Sequence, residues 1–534
     1  MVAGAKLHRQ PSITNLFIKM RDTEQYPVVD LFAGPGGLGE GFAACLGVSD
    51  LPRFQNIVSI EHDPYSHSTL LLRHFFRTFL PGQVPEAYYD YLHGNIPLKE
   101  LYRQYKVQYA EASRSALRIS LGPKTHKEVL GIIQKRIAGK RKWALVGGPP
   151  CQAYSLVGRS RMMGNPEFES DERHFLYREY LKIIRDHRPP VFVMENVKGL
   201  LSARVKGQPV IQRIVSDLST PTAALGSSAN GLAYRLYSLS EDELPDEGVD
   251  PKLFLVQAEK FGIPQARHRM FIVGVRNDLK VKPRRLRRRQ APTVADTIDH
   301  LPALRSGLSR GEDSPSAWWG EIIAITNGNL RRQLNGREYA DVVASRIRMI
   351  TEARDYPTER SSIRYPGQTI KQHGVLKSMY DSRLRSLNAH DARSHMATDL
   401  RRYMYAAVFS EVTGRSPKLS DFPESLLPNH RNVNLGTSGQ MFSDRFRVQL
   451  PDQVATTITS HISKDGHYFI HYDPMQCRSL TVREAARLQT FPDNYKFEGP
   501  RTQQYHQVGN AVPPFLATRI AEIVADLLDS MDNG

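Results

Sequence analysis

Cys151 has the strongest claim to chemistry in this sequence. It follows the apolar run Trp143-Ala-Leu-Val146 and the turn Gly147-Gly-Pro-Pro150. The run is too short and too glycine-flanked for a helix and reads as a buried strand. Two prolines, each holding φ at about −65° and lacking a backbone donor, stop that strand and stiffen the mount of the thiol. Downstream, Val191-Phe-Val-Met194 reads as a second buried strand that delivers Glu195 and Asn196 at its carboxyl end. Gly262-Ile-Pro-Gln-Ala-Arg-His-Arg269 is a turn that carries Arg267 and Arg269 between two further strands, Phe254 to Ala258 and Met270 to Val275. A lone cysteine is more often a buried, inert thiol. Here the pattern puts a thiol and a carboxyl on the same edge of one sheet, with two guanidiniums on a nearby turn, and that company overturns the bland reading.

The elements that must position this set alternate between strand and helix. Pro27-Val-Val-Asp-Leu-Phe32 reads as a strand that enters a glycine-dense turn at Gly34 to Gly39, where backbone can approach a ligand closely. Asn56 to Ile60 is a second strand that ends in Glu61-His62-Asp63. An acidic residue roughly 20 to 25 positions after such a turn is placed to accept hydrogen bonds from ribose hydroxyls. No Lys-Ser/Thr follows the glycines, so a nucleoside without a long phosphate tail fits better than a triphosphate. His93-Gly-Asn-Ile96 falls where a third strand should end. Phe175 to Ile184 is a helix pattern, and Gln152 to Pro166 reads as a loop.

After the basic run Lys280-Val-Lys-Pro-Arg-Arg-Leu-Arg-Arg-Arg289 the alternation is lost until about 475. The expected organisation is therefore an N-terminal arm over 1–25, a catalytic domain over 26–279, a basic linker over 280–289, and a second, smaller, irregular α+β domain with a return helix over 290–499. Residues 500–534 should complete the first domain. Thr481 and Glu484 have the spacing of a capping box. Leu516, Ile520, Ile523, Val524 and Leu527 form an apolar helix face that needs a sheet to cover.

The chain has 534 residues, 72 Lys and Arg against 55 Asp and Glu, and a formal charge of +17. Such a surface attracts a polyanion, and nucleic acid is the leading candidate. The three cysteines, Cys45, Cys151 and Cys477, lack the spacing of a zinc site or a disulfide framework. His390 and His395 are expected to make structural or phosphate contacts, with no metal. No stretch has the length of a membrane span. The arm's cluster Ile13, Leu16, Phe17 and Ile18 loosely resembles a clamp-binding peptide, but packing onto its own domain is the simpler expectation.

Taken in order, Asp30-Leu-Phe-Ala-Gly-Pro-Gly-Gly37, Gly148-Pro-Pro-Cys-Gln152, Glu195-Asn-Val197, Gln265-Ala-Arg-His-Arg269, Arg483-Glu-Ala-Ala-Arg-Leu-Gln489 and Gln507-Val-Gly-Asn510 resemble the motif set of the cytosine-C5 DNA methyltransferases. The resemblance implies a Rossmann-like, doubly wound mixed sheet and S-adenosylmethionine as methyl donor. It implies that Asp30, Phe32, Gly34, Gly36, Gly37 and Leu38 form one wall of the donor site, with Glu61 and His62 at the ribose. Asn95, Ile96, Pro150, Asn510 and Val512 would complete that site. Family members commonly carry Asp where Asn95 stands, although an Asn carbonyl can accept the same hydrogen bond from the adenine amino group.

On the same resemblance, Cys151 adds to cytosine C6, Glu195 meets N3, Arg269 holds O2, and Arg267 supports the site or a phosphate. Gln152, Ser155, Arg159 and Asn196 would contact DNA around an extruded base. The implied partners are double-stranded DNA and a cognate restriction endonuclease. The expected state is a monomer, cytoplasmic in a prokaryote or nuclear in a eukaryote. An RNA (transfer RNA) cytosine-5 methyltransferase is the alternative. A binding protein that has lost catalysis is disfavoured by the presence of Cys151, Glu195, Arg267 and Arg269.

Overall fold

The computed structural model describes residues 25–47, 50–150, 173–205, 207–226, 231–240, 250–353, 355–366, 374–428 and 443–532, excluding the side chains of 173–175, 205 and 532. Cys151, Gln152, Ser155 and Arg159, and the arm over 1–24, lie outside the described residues.

Eight strands form the central sheet. They are β1 (Tyr26–Leu31), β2 (Phe54–Glu61), β3 (Ala116–Arg118), β4 (Ala144–Gly147), β5 (Val191–Val197), β6 (Tyr234–Tyr237), β7 (Leu255–Gln257) and β8 (His268–Arg276). The order is β3-β2-β1-β4-β5-β8-β6, with β7 also paired to β8. Strands β1 to β5 are mutually parallel, and β8 runs antiparallel to β5, β6 and β7. Parallel strands covered on both faces carry near-continuous apolar runs, and β4 is buried at all four positions. The chain leaves β1 in one direction for β2 and β3 and in the other for β4 and β5. The crevice for a ligand therefore opens beside the carboxyl ends of β1 and β4.

One sheet face is covered by helices that contribute Val129 and Ile133, Tyr180 and Ile184, and Ile211 and Ile214. The other is covered by the C-terminal helix, Pro514–Asp529, through Leu516, Ile520, Ile523, Val524 and Leu527, as its apolar face requires. The helix Gly37–Ala43 packs so closely on it that a Cβ at Gly41 would sit 2.3 Å from Ala517 Cβ.

The expected strand end at 93–96 is corrected. Tyr88, Tyr89, Tyr91 and Leu92 bury one side of a helix, Glu86–His93, that stops at Gly94 in the left-handed region, φ 81°. Asn95 follows that stop with its side-chain amide on Asp90, and Ile96 packs into the same helical layer. The third strand lies at Ala116–Arg118, more than 20 residues later.

The second region builds its own core around Trp318, Trp319, Val343, Ile347, Tyr403, Met404, Phe409 and Cys477. Its regular structure among the described residues is mostly helical, with one two-residue strand pair, Gly307–Leu308 with Ser394–His395. The return to the catalytic domain starts well before 500. Ala455–Thr456 pairs with Gln265–Ala266, and 455–511 packs with Val294 and Ile298 in a separate cluster. Residues 280–289 do not cross open solvent as a linker. Leu286 is buried against the C-terminal helix, and its amide donates to Leu239 O at 2.9 Å.

Candidate active site

β5 and β8 bring the acid and its guanidinium together through register. Arg269 stands opposite Val197, two residues beyond Glu195, so the two side chains are diagonal neighbours on one face. Arg269 Nε lies 3.2 Å from Glu195 Oε1, and both side chains are mostly buried, 16% and 14% exposed. Burial raises the Glu195 pKa, while Arg269 and then Arg267 pull against it. Burial likewise lowers that of Arg269, which Glu195 opposes. The pair sits where each charge is costly, so a proton on Glu195 is favoured relative to an exposed carboxyl.

This carboxyl abuts the turn that precedes Cys151. A Cβ at Gly148 would lie 3.0 Å from Glu195 Oε2, so glycine is what leaves room for the acid. Asn196 Nδ2 donates to Pro149 O at 3.1 Å, and its Oδ1 accepts from the Val197 amide at 2.8 Å. Asn196 therefore ties the end of β5 to the Pro149-Pro150 mount. Expected as a DNA contact, it is a buried brace.

A second wall forms at the ends of β1 and β2. Phe32, Gly34 and Gly36 all have positive φ, at 57°, 57° and 100°. Among the described residues, nothing stands within 4 Å of where a Gly34 Cβ would be, which leaves an open face of backbone. Glu61 Oε2 accepts from the Gly34 amide at 2.8 Å, while Oε1 accepts from the amides of His62 and Asp63 at 2.8 and 2.7 Å. Burial would raise the Glu61 pKa, but the His62 imidazole and these amides outweigh it and hold the carboxylate ionised. Val512 closes the wall from the far end of the chain, since a Cβ at Gly37 would meet its carbonyl oxygen at 2.3 Å. Leu38 packs in the same cluster as Val512. Asn510 is exposed, with Nδ2 3.3 Å from the His506 ring.

These residues suit an adenosyl group. Phe32 offers an aromatic face, Glu61 has lone pairs left for a diol, and the glycine turn leaves its backbone open at Gly34. Three expected residues do not join them. Asp30 is fully buried beneath the turn, and its pKa is raised to about 8 by burial, with Glu61 adding and the Gly39 amide opposing. Asp30 underlies the wall without facing its open side. Asn95 and Ile96 stay in the helical layer, and the carboxyl end of the third strand is followed by Ile119 and Ser120. The signal missed was the short run Ala116-Leu-Arg-Ile119, followed by the turn pair Gly122-Pro123.

Arg267 is corrected as a phosphate contact. It is 2% exposed and donates to Ile458 O at 2.8 Å and Gly509 O at 3.2 Å. It pins three distant segments together behind Arg269. Gln265 does the same, donating to Leu488 O and to Gln489 Oε1 at 3.1 Å each and accepting from the Ile458 amide at 2.7 Å. Such clamps were not recognisable individually, because a buried Arg or Gln is defined by carbonyl groups remote in sequence. His390 is structural, between Thr481 Oγ1 and Pro302 O. Among the described residues, no cluster of three or more His, Cys, Asp or Glu could hold a metal ion, and no helix is long and apolar enough to cross a membrane.

The model of the C-5 cytosine-specific DNA methylase family matches residues 124–221 and 240–525. Over 524 residues the chain is 31% identical to a type II methyltransferase of Bacillus paralicheniformis, covering 94% of this chain and 99% of that one. It is 27% identical over 425 residues to a DNA (cytosine-5-)-methyltransferase of Aeropyrum pernix, covering 72% and 82%. In fold it is similar to a prophage-encoded protein of E. coli described as a DNA modification methyltransferase, with a TM-score of 0.52, 18% identity and coverage of 95% and 100%. With most of its length matched by the family's model and a relative aligned nearly end to end, the chain belongs to the C-5 cytosine-specific DNA methylase family.

Proposed function

We propose that this chain is the modification enzyme of a type II restriction–modification pair, methylating C5 of a cytosine within a specific duplex DNA sequence. One observation carries the reading. The mostly buried Glu195 carboxyl, held by Arg269, abuts the Gly148 turn that leads directly into Cys151. Cytosine C5 is a poor nucleophile until a group adds at C6, and a thiolate is the side chain best suited to add and later leave. Cys151 sulfur forms a bond to C6, and electron density moves toward N3 and C5. Glu195 donates its proton or a hydrogen bond at N3 as charge develops there, and Arg269 fixes O2.

S-Adenosylmethionine, held by Phe32, the backbone of Gly34 and Gly36, Glu61 and Val512, would supply an electrophilic methyl group. Loss of the C5 proton and cleavage of the Cys151–C6 bond then restore the ring and the thiolate. None of these atoms is reachable in a stacked duplex, so the base is extruded at a cost of roughly a few kcal/mol. Gln152, Ser155 and Arg159 are assigned to the strand around the gap.

The enzyme is proposed to act as a monomer in the cytoplasm, alongside a cognate endonuclease; the type II names of its relatives favour the restriction–modification setting alone. The test offers labelled donor with duplex DNA and with transfer RNA in parallel, followed by bisulfite sequencing of the DNA. Label at one cytosine context in DNA, abolished by Cys151→Ser, is the expected outcome. Label confined to RNA, or wild-type rates in Cys151→Ser, defeats the reading.

A further inference from the structure

Seven of the ten residues from Lys280 to Arg289 are Lys or Arg. The run is held in place at several points along the core. The Leu279 amide donates to Arg276 O, the Leu286 side chain is buried, and the Leu286 and Arg289 amides donate to Leu239 O and Lys260 O at 2.9 and 3.0 Å. Arg284 is paired with Asp526 and Glu522 near the end of the C-terminal helix, whose Asp529 accepts from Tyr26 at the amino end of β1. At the other end, Arg289 Cβ lies 3.4 Å from where a Gly262 Cβ would be, close to Phe515 in the first turn of that helix. The track therefore climbs the outer flank of the catalytic domain, from the amino ends of the parallel strands toward the reactive edge.

Lys280, Lys282, Arg285, Arg287, Arg288 and Arg289 are exposed along it. The Arg519 guanidinium beside them is pushed below its ordinary value first by burial, with Glu522 opposing and Arg289, Arg284 and Arg287 adding to the fall. A buried leucine and backbone bonds thus hold like charges in a fixed row, an arrangement that a polyanion would relieve by displacing its own counterions.

We infer that this track is a phosphate-binding surface for duplex DNA outside the segment held at the reactive edge, and that it contributes affinity without reading sequence. Duplex DNA is favoured because the track ends at the edge where the proposed substrate is held. The inference rests on that reading only for the choice of polyanion.

Binding of a long duplex without cytosine is measured against salt for the full chain and for the triple variant Arg287→Gln, Arg288→Gln, Arg289→Gln. Loss of three phosphate contacts should reduce the slope of log K against log salt by about 2.7. The double variant Lys280→Gln, Lys282→Gln, at the far end, should reduce it by about 1.8. On a cytosine-containing duplex, KM should rise severalfold for a long duplex and stay unchanged for a short one of about one helical turn, with kcat unchanged in both. Unchanged slopes in both variants overturn the inference. So does an altered affinity for anionic vesicles with none for DNA. If wild-type protein methylates no DNA but the slopes fall, the functional reading fails and the track stands. If methylation is normal and the slopes stay, the reverse holds.

Discussion

Two buried glutamates in this molecule face arginine and titrate in opposite directions. Glu484 receives both Arg478 Nη atoms at 2.7 Å and the Thr481 amide at 2.7 Å. Burial would raise its pKa, but the charge and hydrogen bonds of Arg478, then His471 and His390, hold it well below the ordinary range. Among the described residues, Glu195 has one guanidinium nitrogen at 3.2 Å, and burial wins. The difference lies in donor count and geometry rather than in depth. A carboxylate saturated by donors is locked as an ion and serves the fold. A buried carboxyl with few donors keeps its affinity for a proton and remains available for chemistry.

The sharpest way to break this contrast is to replace both acids with the neutral isostere. Glu195→Gln should lower kcat by roughly 10²–10⁴-fold, the usual worth of a positioned proton donor, while the folded protein still binds DNA. Single-turnover methylation checks this, and a near-wild-type rate would remove Glu195 from the mechanism. Glu484→Gln should leave the rate per folded molecule intact but cost about 3–5 kcal/mol in urea unfolding, because the buried Arg478 loses its counter-charge. A loss below about 1 kcal/mol would show that the pair is solvated in solution.

The pH signs follow from the same contrast. The folded pKa of Glu195 lies above the ordinary value of 4.5. Its burial penalty is absent below that value, grows as pH rises from there to the raised one and is complete above it, so Glu195→Gln should be relatively more stable on the alkaline side. Glu484 contributes stability that is complete above the ordinary value and lost as pH falls toward its depressed one. The smallest effect belongs to Asn196→Ala. Removing the hydrogen bond to Pro149 should cost about 0.5–1.5 kcal/mol of stability. It should slow methylation by about tenfold through looser placement of the turn, since a displacement of ~1 Å can cost ~10²-fold. An unchanged kcat would make the brace purely structural.

Where periodicity and local chemistry decide structure, the sequence was legible. The strands at 26–31, 54–61, 144–147, 191–197 and 268–276 announced themselves by apolar runs ended by glycine, proline or charge. The Thr481–Glu484 capping box formed as its spacing requires. The segment 86–96 misled because a helix stop at Gly94 and a strand end at glycine have the same local composition. Asn196 misled because its partner, the Pro149 carbonyl, lies 47 residues away.

By itself the sequence determined the alternation of strands and helices, the presence of a thiol, an acid and two guanidiniums at strand ends, and a surface suited to a polyanion. It told Arg267 from Arg269, two positions apart in one motif, only through the family resemblance, and left open whether Arg267 supports the site or meets a phosphate. One is buried among the carbonyl groups of Ile458 and Gly509, and the other faces Glu195. Nor could it show that the run 280–289 is seated on the catalytic domain rather than free between domains. Both outcomes depend on which distant backbone groups arrive beside a side chain. Burial and hydrogen-bond supply, and hence charge state and role, are properties of that convergence and are not encoded in the residue or its neighbours.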